Sequence, residues 1–527
     1  MKIFISSTFI DLKDYRSAIE EVLKILQQQY VGMEYFVSIG KGPLETCLKK
    51  VEESDLVLCV VGTRYGAIAK KIGKSFTECE IRHANRLEIP VSVFLMDENH
   101  TKVLPGFVDK DPKLVSLRDK FIAWLTDRYH HMQYTDPNSL AIRVVAALAE
   151  FYIAKSNHLI HLRSIHKRIR AEKACKWDFL AISAQNVDRF YHVAEIKPDY
   201  ESEVKEVFSL KPGGSGANTA IALAKLGKRT AVAGIITDDK QGDKLVQNYK
   251  ENRVNINLLL TNPKNEDTAH RLQTGETIVF VSNSGRRQIA LFPGINEHWG
   301  SLASARTERK RLFKTIQDAK VVHFSSFTGE EALKFQKDLL DHLGSKILSF
   351  SPGEIYSERG FDNLKPILLR TDVLFVYARE LGHLIGSSDT SGRNVQAQIR
   401  TFFERMHELK RFRPLILVVK DREHEAVRDI GRSFLTLAIG ARGAIQCFTS
   451  TSLHVPDDFK VKDATGAGGA IAAAVLYGLL ERQELQYCVD VAFVMSALVS
   501  SVVGAQTALP NEKRLNKFLK AWRKARR

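Results

Sequence analysis

Several absences narrow the reading of this 527-residue chain before any motif is considered. No stretch approaches the ~18 consecutive apolar residues of a membrane span, so no membrane partner is expected. The opening MKIFISSTF lacks the basic region, apolar stretch and small-residue cleavage site of a secretory signal. Cysteine is scarce. Cys47, Cys59, Cys79, Cys175, Cys447 and Cys488 show neither CxxC nor zinc-ligand spacing, so no structural metal is expected. Cys59, inside the apolar run LVLCVVG, reads as core, and the set fits a reducing cytoplasm. There is no internal repeat and no low-complexity tract.

What is present is ordinary in bulk. Apolar residues make 44% and charged residues 26%, which excludes general disorder. The length suits two to four domains. Lysine and arginine number 77 against 61 acids, leaving +16, and two stretches carry +14 of it. Ala154–Lys176 has seven basic residues and one acid; Lys513–Arg527 has eight and none. A nucleic-acid enzyme more often lines a domain face with such charge. RNA or anionic lipid could meet these stretches, but the favoured reading is a solvated helix and a frayed tail, with Leu515, Phe518, Leu519 and Trp522 as a narrow apolar stripe expected to dock on the domain or on a partner subunit.

The pattern along the chain is α/β. Lys2–Ser6 reads as a strand, and Asp11–Gln29 as a helix with Leu12, Tyr15, Ile19, Val22, Leu23 and Leu26 on one face. A helix over Leu44–Glu53 leads to a buried strand, Asp55–Gly62. A helix over Thr77–Asn85 leads to another, Val91–Leu95. Continuous apolar strands alternating with helices predict a doubly wound parallel-sheet domain over residues 1–150. A basic connector over 151–176, without Gly or Pro, reads as helical. A second α/β pattern fills 177–515, and 516–527 reads as a basic tail.

The most informative segment is Asp463–Ala470, DATGAGGA, ahead of the helix IAAAVLYGLL. Small residues at a helix start let backbone N–H groups converge on an anion, and the helix dipole adds to the attraction. Taken alone, this is equally well a tight strand-to-helix turn. Other segments agree in order: DFLAISAQNVD, PGGSGANTAIALAKLG, TGETIVFVSNSGRRQIALFPGIN, TDVLFVYARE, LAIGARGA and SSVVGAQTALP. Together they resemble the PfkB (ribokinase-like) family of sugar and nucleoside kinases. The resemblance implies a central sheet with helices on both sides and a small β lid, with strands at Thr277–Val281 and Gln288–Leu291 turning at Ser284–Gly285. It implies Asn186, Asp188, Gly213, Gly214 and Asn218 around the sugar hydroxyls, and Gly440 to Gly443 by the nucleotide. It also implies an anion hole opened by Asp463 and formed by Gly466, Ala467 and Gly468, with ATP and magnesium as cofactors.

Three positions depart from that pattern. The family motif ends GAGD, and its Asp is the general base; here the position is Gly469, which cannot accept a proton. The NxxE motif, linked to metal and phosphate, keeps Glu380 but has Tyr377 for Asn. SFDPG appears as SFSPG, with Ser351 for Asp. The sugar side looks kept and the phosphoryl-transfer side eroded. An inefficient kinase domain that binds its ligand is the leading expectation; an active kinase with a regulatory N-terminal module is the alternative.

KIFISSTFIDLKDYR, ESDLVLCVVGTRYG and SFTECEIRHANRLEIPVSVF resemble a TIR-like domain of unknown function, distantly similar to nucleoside deoxyribosyltransferases. Such domains recur at N-termini of bacterial proteins with signalling or defence character. The resemblance implies attack at a ribosyl C1–N bond, with Glu80 as the carboxylate (Thr77 to Glu80 matching TxxE) and NAD as first candidate substrate. Equally, Glu80 could be a helix-start carboxylate answering the dipole, while Glu78 would point elsewhere. Ser6, Ser7 and Thr8 follow the first strand, where doubly wound sheets bind ligands. Thr63, Arg64 and Tyr65 follow a later one, with Arg64 suited to a phosphate, Tyr65 to stacking on a base, and Gly66 to turning the loop. The whole reads as a sensor–effector fusion, a homo-oligomer with a nucleoside, nucleotide or sugar as ligand. The second alternative is a non-enzymatic scaffold.

Overall fold

The computed structural model describes residues 2–32, 43–69, 72–87, 89–99, 105–172, 174–196, 203–208, 210–262, 272–283, 287–387, 395–409, 415–420, 435–441, 444–449 and 462–525. The chain forms two compact units, Met1–Ala154 and Lys155–Arg527.

The first unit runs β1 (Lys2–Ser7), α1 (Lys13–Ile25), β2 (Gln29–Val31), α2 (Pro43–Glu52), β3 (Leu56–Val61), β4 (Ile68–Ala69), β5 (Lys74–Ser75), α3 (Phe76–Arg86), β6 (Val91–Met96), α4 (Pro112–Arg128) and β7 (His131–Tyr134), then enters α5 (Pro137–Ala171). Its main sheet has the order β2-β1-β3-β6-β7, and every pairing is parallel. Both faces are covered. Ile3, Ile5, Leu58 and Val60 enter one core, while Phe4, Val57 and Cys59 enter the other. That is why these strands are apolar throughout rather than alternating. The doubly wound expectation holds. β2 and β7, short and rich in polar residues, had no reading in the sequence.

The second unit opens with β8 (Trp177–Ile182), β9 (Asn186–Val193), β10 (Val204–Val207), β11 (Lys211–Pro212), α6 (Ser215–Lys225), β12 (Thr230–Thr237), α7 (Lys240–Glu251), β13 (Asn255–Asn262), β14 (Gly275–Ser282) and β15 (Arg287–Phe292). It continues through α8 (Trp299–Ala303), α9 (Arg306–Gln317), β16 (Ala319–Ser325), α10 (Glu330–Asp338), β17 (Ile347–Ser351), α11 (Gly353–Ser357), α12 (Gly360–Arg370), β18 (Val373–Tyr377), α13 (Ala378–Ile385) and α14 (Val395–Glu408). It ends with β19 (Leu415–Lys420), β20 (Leu435–Ala441), β21 (Ala444–Thr449), α15 (Ala467–Leu480), α16 (Leu485–Ser500) and α17 (Glu512–Ala525).

Nine strands form its central sheet in the order β13-β12-β8-β16-β17-β18-β19-β20-β21. Pairing is parallel as far as β19 and antiparallel beyond it. Val321 and Val322 alternate between the cores on its two faces. A smaller sheet, β10-β9-β14-β15 with β11 also on β9, is the expected lid, though its turn at Ser284–Gly285 lies outside the described residues.

The expectation of a solvated basic helix and a frayed tail is corrected. The later part of α5 buries Leu162, Ile165 and Ile169 in the second unit's core, and Arg168 Nη1 meets Asp372 Oδ1 at 2.6 Å. The helix α17 buries Leu515 and Leu519 in the same core. Basic side chains cover these helices' outer faces while a narrow apolar stripe docks; the stripe of the C-terminal helix was expected to dock, whereas charge counting alone missed the packing of α5. Among the described residues no helix is long and apolar enough to cross a membrane.

Candidate functional site

In the first unit, Ser75 caps α3 by accepting the Glu78 N–H at 3.1 Å. Helical spacing then separates two glutamates that sequence alone barely distinguishes. Glu80 turns inward. It is 3% exposed, and Ser6 donates to its Oε2 at 2.6 Å. Burial pushes its carboxyl up to about 7, with the Ser6 and Cys47 side chains and the Arg16 charge pulling the other way. Glu80 is therefore no exposed helix-start carboxylate answering the dipole. Ser7 accepts from Arg16 Nη1 at 2.5 Å and donates to the Thr8 carbonyl. Arg16, 4% exposed on the apolar side of α1, was missed. Its signal was a charge four residues after buried Leu12.

Glu78 faces a different set. Tyr65 donates to its Oε2 at 2.5 Å, and Lys74 and Arg82 each reach its Oε1 at 2.6 Å. Burial opposes the charge, but these partners outweigh it and hold the carboxyl below its usual range. The base-stacking role expected of Tyr65 is corrected: the ring is 2% exposed and its hydroxyl is committed to Glu78. Arg64 stands 3.4 Å from Asp109, which also accepts the Tyr65 N–H at 2.7 Å. Asp109 had no reading in the sequence. Thr63 donates to the Phe107 carbonyl. Gly66 has φ +89°, and a Cβ there would stand 2.7 Å from Thr8 Cγ2. The loops after β1 and β3 thus meet at one sheet edge, with Asp11 Oδ2 2.7 Å from where a Gly62 Cβ would be.

In the second unit the residues expected around the sugar converge. The Gly213 N–H donates to the Asn186 carbonyl at 2.9 Å, and β11 pairs Lys211 with Asp188. A Cβ on Gly213 would lie 2.3 Å from both Asp188 oxygens, so only glycine admits that carboxylate. Gly214, at φ +93°, starts α6. Asn218 accepts from Gln506 Nε2 at 2.7 Å. Asn296, also missed, donates to Asn186 Oδ1 at 3.0 Å and takes the Gln185 N–H at 2.8 Å. Asn186, Asn296, Ser215 and the lid residue Leu291 line a cavity of about 90 Å³.

The helix α15 begins after Gly466 at φ +82°. Of the expected anion-hole donors, Ala467 gives its N–H to the Ala464 carbonyl at 3.3 Å, while the other first-turn N–H groups have no acceptor within the helix. Asp463 does not face this opening. Its oxygens accept the Thr465 and Gly504 N–H groups at 2.8 and 2.9 Å, tying two loops together. Gly469 sits where the expected base would be. A Cβ there would stand 3.1 Å from Asn218 Cβ and 3.4 Å from Thr219 Oγ1, so the position is a close contact between α15 and α6. The Tyr377 hydroxyl lies 3.2 Å from a Cβ position on Gly468, and Lys420 Nζ stands 5.5 Å over the Tyr377 ring. Glu380 accepts the Tyr377 N–H at 2.9 Å and so caps α13. Gly440 lies within β20; Gly443 lies outside the described residues. These residues fit an anion at α15. They do not fit the expected magnesium arrangement, since positions 351 and 377 offer a hydroxyl and a phenol and Glu380 caps its own helix.

Residues 179–512 match the model of the pfkB family carbohydrate kinases, and residues 2–149 that of a domain of unknown function, DUF4062. An uncharacterized sugar kinase of Archaeoglobus fulgidus is 24% identical over 294 residues, covering 55% of this chain and 98% of that protein. A nucleoside kinase of Methanothermobacter thermautotrophicus is 22% identical over 356 residues, covering 66% and 96%. The adenosine kinase structure from Sinorhizobium meliloti matches at TM-score 0.51 and 17% identity, over 65% of this chain and all (100%) of that one. With lid, central sheet and glycine-led helix start in place, the chain belongs to the pfkB family of carbohydrate kinases and carries a DUF4062 domain at residues 2–149.

Proposed function

We propose that the second unit binds a nucleoside, nucleotide or sugar and transfers phosphate to it inefficiently, and that its occupancy controls the first unit. The observation that carries this is Gly469. The sugar-side carboxylate and amides are assembled, yet the position that should take the proton holds a glycine packed on Asn218 and Thr219. Losing a general base removes ~10²–10⁴-fold in rate. The test is ATP consumption by the purified full chain across a nucleoside and sugar panel, alongside calorimetric binding of the same compounds. Binding without turnover is expected. Turnover at the ~1–100 s⁻¹ of ordinary kinases would establish the alternative, an active kinase with a regulatory N-terminal unit.

A second reading, for the first unit, is favoured by the Glu80–Ser6 pair. A buried carboxyl with pKa about 7 is present in both forms at neutral pH. Ionised, it stabilises an oxocarbenium-like C1 as the C1–N bond breaks toward nitrogen, and the nicotinamide of NAD, cationic while bonded, leaves neutral without a proton; protonated, it supplies the proton that the departing base of a neutral nucleoside needs. Water then adds to C1 and releases a proton. NAD is the first substrate to assay, with and without the second unit's ligand. Glu80→Gln should abolish cleavage while leaving ligand binding in the second unit intact. No cleavage under any condition would favour a binding scaffold. Bacterial signalling or antiphage defence is the setting that the domain company supports.

A further inference from the structure

A second cavity, of about 340 Å³, lies between β11, the end of α6, α7 and the loop 504–507. It shares no residue with the cavity at Asn186 and Leu291. Lys211, Lys225, Asn248, Asn252 and Gln506 line it, with exposed Glu251 as the one acid among the described lining residues. Lys225 is half-buried. Its Nζ reaches the Gln506 carbonyl at 3.4 Å, and no carboxylate among the described residues forms an ion pair with it. Burial lowers its pKa, and the neighbouring Arg514 lowers it further. Burying one cation beside another is unfavourable unless an anion joins them. The amides of Asn248 and Asn252 suit hydroxyl groups, and the volume suits a small metabolite.

We propose that this cavity binds a phosphorylated small molecule and that Gln506 carries its occupancy to Asn218. Gln506 is shared between the two places. Its Nε2 donates to Asn218 Oδ1 at 2.7 Å, its Oε1 accepts from Asn248 Nδ2 at 3.0 Å, and its carbonyl accepts Lys225. The same loop touches the helix start at α15. Gly504 donates to Asp463, and the Ala505 Cα stands 2.5 Å from where a Gly466 Cβ would be. A phosphate drawing Lys225 and Asn248 toward itself reorganises the Gln506 contacts, and through them the sugar-side amide.

The test is hydrogen exchange of the full chain at constant ionic strength, with chloride replaced by inorganic phosphate or by ribose 5-phosphate. Slowed exchange is expected over residues 500–510 and over the 215–226 helix carrying Asn218. Protection by phosphate alone identifies the free anion as ligand; protection by ribose 5-phosphate alone identifies an organic phosphate. Lys225→Met should weaken the apparent affinity at least tenfold, and Lys225→Arg should retain it. Lys211→Met serves if Lys225→Met fails to fold. Protection that persists unchanged in the methionine variants, or is confined to residues 465–470, would overturn the site. Protection of 500–510 without any change at 215–226 would overturn the relay.

Discussion

Two helices, α3 and α15, begin at sheet edges with small or capping residues, and they have come to opposite ends. At α3 the chain buries an acid: Glu80 is 3% exposed against Ser6, and its carboxyl is pushed up to about 7. At α15, where the resemblance led to the expectation of an acid, the chain has Gly469, packed against α6. The backbone device is similar, yet the chemistry that each start can perform depends on one side chain and on what surrounds it. Helix-start geometry explains attraction for an anion; exchanging a proton needs an ionisable side chain, and burial is what brings a carboxyl's exchange toward neutral pH.

The largest test of this contrast adds the missing acid. Gly469→Asp should raise ATP-dependent turnover of a bound nucleoside or sugar by about 10²-fold or more. Its Cβ needs α6 to yield from 3.1 Å, so a stability loss of ~1–3 kcal/mol is expected with it. An unchanged rate in a folded variant that still binds ligand would mean that another group takes the proton, and the contrast would collapse.

The next test removes the acid that is present. With a folded pKa of about 7 against about 4.5 for an ordinary glutamate, Glu80 binds its proton more tightly in the folded unit. Its stabilising contribution is full below pH ~4.5 and is lost as pH rises through 7. The loss between pH 5 and 8 is about 3 kcal/mol. Urea unfolding read from Trp124, the one tryptophan in residues 1–154, should show this decline. Glu80→Gln, which resembles the protonated form, should flatten it and be the more stable protein at pH 8. A parental pH profile in that variant would show that Glu80 is not a titrating buried acid.

The two starts also differ in how far the sequence revealed them. The α15 start was legible because GAG-type spacing, the helix after it and six ordered segments constrain one another, and the glycine at position 469 is visible as a letter. Its surroundings are not: the contact with Asn218 and Thr219 joins residues some 250 positions apart. At α3 the helix was legible from periodicity, and Glu80 was singled out by the resemblance, with a helix-start carboxylate left open beside it. Arg16, Asp109 and the burial of Tyr65 were not, because each depends on loops from separate strands meeting at one edge. Asn296 and Gln506 were hidden for the same reason. A single amide in a polar segment has no local signature until the chain brings its partner.

A smaller effect tests the sugar side itself. Gly213→Ala places a Cβ 2.3 Å from both Asp188 oxygens. The carboxylate has to move, which should cost ~1–3 kcal/mol in stability and weaken binding of the second unit's ligand, read by calorimetry. Parental affinity would separate Asp188 from the ligand.

The smallest effect concerns the second glutamate of α3. Glu78→Gln removes the charge that Lys74 and Arg82 share and leaves Tyr65 with a weaker acceptor. Hydrogen bonds to charged groups contribute ~1.5–3 kcal/mol, and the two cations are over a third exposed, so solvent screening reduces this to about 1 kcal/mol at pH 7. The pH dependence has the opposite sign to that of Glu80. A carboxyl held below its usual range stabilises the fold above its unfolded pKa, and that contribution is lost as pH falls through the folded value. Glu78→Gln should therefore converge on the parent in acid and fall below it near neutrality, whereas Glu80→Gln should converge in acid and rise above it. Both variants unfolding at parental denaturant concentrations at pH 8 would remove the electrostatic distinction between these two positions.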